Sequence, residues 1–124
     1  MIGILAAVTL SGLIAGEPAD VDKDVIVLNQ TKAAVEVRLD DGKSRHIDPR
    51  SAASLDLPSF DEHSIQVTRA DGHTFGRAFT FAPTNGFFAP PHKHHFCVTV
   101  EHSQVEILGA EACWSRFHRL HLEE

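Results

Sequence analysis

From Asp24 onward, apolar and polar residues alternate with a period of two rather than 3.6, which predicts strands. Asp24 to Leu28 (DVIVL) is rich in β-branched residues and suits a buried strand. Ala33 to Leu39 places Val35, Val37 and Leu39 on one face and Glu36 and Arg38 on the other. Asp40-Asp41-Gly42 reads as a hairpin turn in which Gly42 takes the positive φ. Further strands are expected over Lys43 to Asp48, Ala53 to Leu57, Ser64 to Arg69, His73 to Phe81, Phe96 to Val100 and Gln104 to Leu108. Ala70-Asp71-Gly72 repeats the hairpin signal, and Ala82 to Pro91 is a loop rich in Pro, Gly and Asn. Arg77 shares a face with Phe75, Phe79 and Phe81, so either that face meets solvent midway or Arg77 has an acidic partner. The tail from Glu111 is ambiguous: Trp114 and Phe117 have helical spacing, whereas Leu120 and Leu122 alternate.

Seven to eight short strands separated by turns predict an all-β fold, a single small antiparallel β-sandwich of immunoglobulin-like or jelly-roll-like form. At 124 residues the chain makes one domain, expected over residues 20–124. Ahead of it, Ile2 to Gly16 carries no charged side chain. That run is short for a bilayer span and fits the apolar region of a secretory signal, so residues 1–19 are assigned to a signal or apolar N-terminal segment. The expected location is periplasmic or secreted. Cys97 and Cys113 agree with that assignment, because two cysteines in an oxidising compartment pair, closing a loop with roughly 3 kcal/mol of stabilisation. A formal net charge of −6 without a basic stripe argues against nucleic acid, and no second apolar run predicts membrane insertion of the body.

Chemistry concentrates between Phe87 and Cys97, FFAPPHKHHFC. On an extended strand His92 and His94 share the phase of Phe96, Val98 and Val100 and point inward, while His95, Cys97 and Thr99 point to the opposite face. Two histidines at i and i+2 can grip Zn²⁺ or Cu²⁺, with a third ligand from elsewhere. His73 is the leading candidate, with His46 and His63 as alternatives. Gly86 to His94 (GFFAPPHKH) resembles the opening of the first metal-binding motif of cupins, a glycine, five residues and then His-x-His. The resemblance implies that His92 and His94 bind metal. It departs from the family where Val98 and Thr99 stand in place of the motif's glutamate.

No nucleophile elbow and no phosphate-binding loop occurs, so no catalytic residues are assigned. Three functions follow in order. The first is a non-enzymatic binding module for a protein or small ligand, with the adjacent Phe87 and Phe88 as its contact. The second is a zinc- or copper-binding protein, and the third a small metal-dependent enzyme.

Overall fold

The structure is a computed structural model that describes residues 22–89 and 93–122. The apolar N-terminal segment and His92 lie outside the described residues. Among the described residues nine strands and one helix follow in order: β1 (Asp22–Asn29), β2 (Val35–Leu39), β3 (Ser44–Ile47), β4 (Ser51–Asp56), β5 (Glu62–Arg69), β6 (Thr74–Thr80), β7 (Phe87–Ala89), β8 (Lys93–Val100), β9 (Val105–Leu108) and α1 (Ala110–Leu122).

They form a β-sandwich. Sheet one runs β9-β8-β1-β4, and β7 pairs with the first part of β8. Sheet two runs β3-β2-β5-β6. The alternation read from the sequence places Val25 and Val27 of β1, Val35 and Val37 of β2, Ile65 and Val67 of β5, and Phe96, Val98 and Val100 of β8 in one buried core between the sheets. Phe79 and Phe96 stack across that core with ring centroids 4.6 Å apart. Burying a side chain of this size contributes about 1.5–3 kcal/mol, so the inward faces hold the sheets together.

One pairing departs from the antiparallel expectation. β1 and β8 are parallel, with Asp24 opposite His95 and Ile26 opposite Cys97. Parallel strands need a long connection, and here all of sheet two lies between them in sequence. Two turns also differ from expectation. In the β2–β3 hairpin the positive φ falls on Asp40, at 54°, and not on Gly42. Asp40 tolerates the left-handed region because its carboxylate accepts from the Ser64 backbone N–H at 2.9 Å and from His63. Gly72 does take the expected positive φ, at 91°. Within the Ala82–Pro91 loop, Phe87–Ala89 form β7. Among the described residues Arg77 pairs with no acid; it donates to the Val105 carbonyl at 3.2 Å, joining the edge strand β6 to β9 of the other sheet.

Asn29 ends β1 fully buried. Its Nδ2 donates towards the carbonyls of Ala33, Ile47 and Asp48 at 3.0, 3.3 and 2.9 Å, and its Oδ1 accepts from the Thr31 N–H and hydroxyl. The turn after β1 and the turn after β3 are thereby tied to one side chain.

The ambiguous tail is a helix. Gly109 precedes it, its carbonyl accepting from the Cys113 N–H at 2.9 Å, and Glu111 sits in the first turn where the helix dipole favours an acid. Cys113, Phe117 and Leu120 recur at helical spacing and cover the outer face of sheet one, in a second buried cluster with Leu28 and Cys97. The sulfurs of Cys97 and Cys113 are 2.05 Å apart, at disulfide distance, pinning α1 to β8. Among the described residues no helix is long and apolar enough to cross a membrane.

Candidate functional site

The strand phase read from the sequence determines which histidine meets which surroundings. His94 faces inward and His95 outward, as expected. His94 is 2% exposed and sits among the rings of Phe60, Phe81 and Phe88, with centroids 5.2, 5.0 and 4.4 Å away. Its Nε2 donates to the Asn85 carbonyl at 2.6 Å, and its Nδ1 is buried without a partner among the described residues. Gly86 makes this turn possible. Its φ is +72°, and a Cβ there would stand 2.3 Å from the His95 carbonyl oxygen.

Among the described residues, the other expected metal ligands are not assembled around His94, and His92 lies outside them. His73 lies at the β5–β6 turn, eight residues along β6 from the Phe81 ring that touches His94, roughly 25 Å for extended chain. His46 is exposed beside Glu36 and Asp48, at 2.7 and 3.2 Å. Among the described residues, no three His, Cys, Asp or Glu side chains are grouped to hold a metal ion.

His63 is committed to structure. Its Nδ1 donates to Asp40 Oδ2 at 2.8 Å and its Nε2 to the Ser59 carbonyl at 3.0 Å. Two acceptors require both ring nitrogens to carry protons. Burial opposes the charged ring, but the Asp40 carboxylate and the Ser59 carbonyl outweigh it and raise the His63 pKa above its ordinary 6.5. For Asp40, burial likewise opposes the charge, and the bonds from His63 and Ser64 outweigh it and lower the pKa below 3.8. A raised histidine pKa stabilises the fold below pH 6.5, and this is lost as pH rises through the folded value; a lowered aspartate pKa stabilises above pH 3.8, and this is lost as pH falls. The stability gap between wild type and His63→Gln is therefore expected to be widest between pH 4 and 6.5 and to narrow above it. Urea unfolding at pH 5.5 and 8.5 checks this; a gap that widens at pH 8.5 contradicts it.

The outer face of sheet one holds a different constellation. Asp24, Ile26 and Leu28 of β1, Ala52 and Ser54 of β4, and His95 and Cys97 of β8 all point towards α1. Because Ala52 and Ser54 are small, α1 does not close onto the sheet at its Trp114 end. A cavity of about 300 Å³ remains, walled by Ile26, Ala52, Cys113, Trp114 and Phe117, with Asp24, Ser54 and His95 at its polar end. The Trp114 and Phe117 rings meet edge to face at 6.0 Å, and Phe87 packs against both Trp114 and His95.

Asp24 is 2% exposed. A buried carboxylate is costly unless its oxygens are bonded. Oδ2 accepts from the Ser54 hydroxyl, Oδ1 accepts from His95 Nδ1–H, and Lys93 Nζ stands 3.9 Å from Oδ2. A carboxylate that accepts at Nδ1 fixes the proton on that nitrogen and leaves Nε2 as the reactive end of the ring. His95 lines the cavity, and among the described residues no hydrogen bond occupies its Nε2.

Sequence reasoning placed His95 on this face but missed Asp24, Ser54 and Trp114 as its neighbours. The available signal was one acid at the head of the β-branched run of β1. Phe87 and Phe88, expected to act together, diverge: Phe87 joins the helix-covered cluster, and Phe88 is 62% exposed over the His94 ring.

No protein-family model and no curated protein matches the chain. Among solved structures it is similar to the NMR structure of a protein from Eubacterium rectale, at 16% identity over 81% of this chain and 98% of that one, with a TM-score of 0.44.

Proposed function

We propose that the chain is an exported binding module, periplasmic or secreted, that holds a small ligand between sheet one and α1 and performs no chemistry on it. The observation that carries this reading is the cavity with His95 Nε2 open at its polar end, backed by the buried Asp24 carboxylate. Pockets that take small molecules are mostly apolar with a few fixed polar groups, and run from about 300 Å³ upward. A purely structural outer face would be met more cheaply by apolar side chains than by a buried carboxylate and histidine. Ser54 is the hydroxyl at the cavity, but it donates to Asp24 and not to His95, so no nucleophile–base pair is formed. Two cysteines at disulfide distance support an oxidising compartment.

Trp114 is the chain's one tryptophan and lines the cavity, so its fluorescence reports occupancy. Titration with the neutral probe cyclohexanol is expected to shift Trp114 emission saturably. Ala52→Leu fills the cavity from the sheet side and is expected to remove that response while leaving the unfolding free energy within about 1 kcal/mol of wild type. An unchanged response in a folded Ala52→Leu protein contradicts the reading.

A second reading has its own support. His94 donates one ring nitrogen to a backbone carbonyl and keeps a lone pair on the other, the arrangement that orients a metal-bound imidazole. On this reading zinc or copper binds at His94, and affinity falls in His94→Ala. Equal affinity in wild type and variant removes it.

A further inference from the structure

The proposed pocket has chemical features that select among ligand classes. We infer that its ligand is a small monocarboxylic acid bearing one ring or branched apolar group, its carboxyl against His95 Nε2 and its apolar part against Trp114 and Phe117. This rests on the binding reading above and goes further by naming the class.

Three observations carry it. First, with Nδ1–H committed to Asp24, Nε2 meets an acid in one of two equivalent ways: it accepts from the neutral carboxyl O–H, or takes that proton and donates to the carboxylate. Both arrangements keep one proton between nitrogen and oxygen, so an acid fits whichever partner holds it. Second, cations are disfavoured. The Asp24 oxygens are buried and already accept from Ser54 and His95, and Lys93 sets a positive charge 3.9 Å from them. With the shared proton on His95, Asp24, Lys93, His95 and a ligand carboxylate balance to neutrality, which matters in a poorly solvated site. Third, about 300 Å³ is at the small end of ligand pockets, and the walls of Ile26, Ala52 and Phe117 are apolar, with the Trp114 indole N–H as a further donor beside the polar end. Sugars and nucleotides carry more polar groups than this lining can pair.

Calorimetric titration of the full chain with phenylacetate, phenylacetamide and phenethylamine tests the class. The three probes share ring and chain length and differ in the head group. Phenylacetate is expected to bind about tenfold or more tighter than the amide, and the amine weakest. His95→Asn keeps an N–H near the position of Nδ1 to serve Asp24 and deletes Nε2. It is expected to bring phenylacetate down to the affinity of the amide and to leave the amide unchanged. Should His95→Asn fail to fold, Ala52→Leu, with its polar end intact, is expected to lose all three probes. Amide or amine binding as tightly as the acid, or His95→Asn retaining the acid's advantage, overturns the inference while leaving the pocket standing. Failure of all three probes and of cyclohexanol to bind wild type overturns the pocket reading together with the inference.

Discussion

Asn29→Ala is expected to lower the unfolding free energy by about 3 kcal/mol or more, a large share of the stability of a domain this size. Asn29 is fully buried, and its amide group serves three carbonyls and two donors of Thr31 across two turns. Alanine leaves several of these groups buried and unpaired, at about 1–3 kcal/mol for each that water does not reach. It also frees the turn after β1 from the turn after β3, two of the four points among the described residues at which the chain passes between the sheets. Asn29→Asp is expected to be no milder, because a carboxylate replaces the donor that faced three carbonyl oxygens. Urea unfolding checks both, with the midpoint falling and the slope unchanged. Thr31→Val, which keeps the Asn29 donor, is expected to lose only about 1 kcal/mol. Equal losses in Thr31→Val and Asn29→Ala would show that the clamp is not centred on Asn29.

Breaking the Cys97–Cys113 link is the second large effect. The cysteines are 16 residues apart in sequence, and closing a loop of that size stabilises the fold by about 3 kcal/mol. The link also fixes α1, which supplies Trp114 and Phe117 to the cavity. Double replacement, Cys97→Ser with Cys113→Ser, is therefore expected to lower stability by about that amount, to move Trp114 emission to the red, and to weaken any probe in the cavity more than tenfold. A reductant acting on wild type is expected to reproduce all three changes. Protein from an exporting host that shows neither a two-proton mass deficit nor any response to reductant would contradict both the link and the oxidising location that it supports.

Much of this architecture was legible because burial acts locally on a strand. The alternation of Val35, Val37 and Leu39, and of Phe96, Val98 and Val100, gave the inward faces directly, and the same phase separated His94 from His95 and Cys97. The tail resisted reading because Trp114–Phe117 and Leu120–Leu122 suggest different periods; the sheet beneath, through Cys113, Phe117 and Leu120, selects the helix. The β2–β3 turn was misassigned because the Asp40 carboxylate finds partners in His63 and Ser64, more than twenty residues away, and these offset the left-handed conformation that glycine was expected to take.

The candidate site was least legible. Asp24 and His95 are 71 residues apart and meet only through the parallel pairing of β1 with β8, which no local pattern encodes. The histidine-rich run drew attention to metal chemistry, yet His94 turns into an aromatic core and His95 turns to an aspartate. Phe87 and Phe88 look like a joint contact in a loop, but once they form β7 their side chains face opposite ways.

The most direct test maps where a small acid binds. Two-dimensional NMR spectra of the full chain, recorded with increasing phenylacetate, are expected to show saturable shifts at the Trp114 indole N–H and the methyl groups of Ile26 and Ala52, and at the His95 ring. Resonances of His94 and Phe88 at the other face should stay in place. Shifts confined to His94 and Phe88, with Trp114 unmoved, would contradict the assignment of the ligand seat to the space beneath α1.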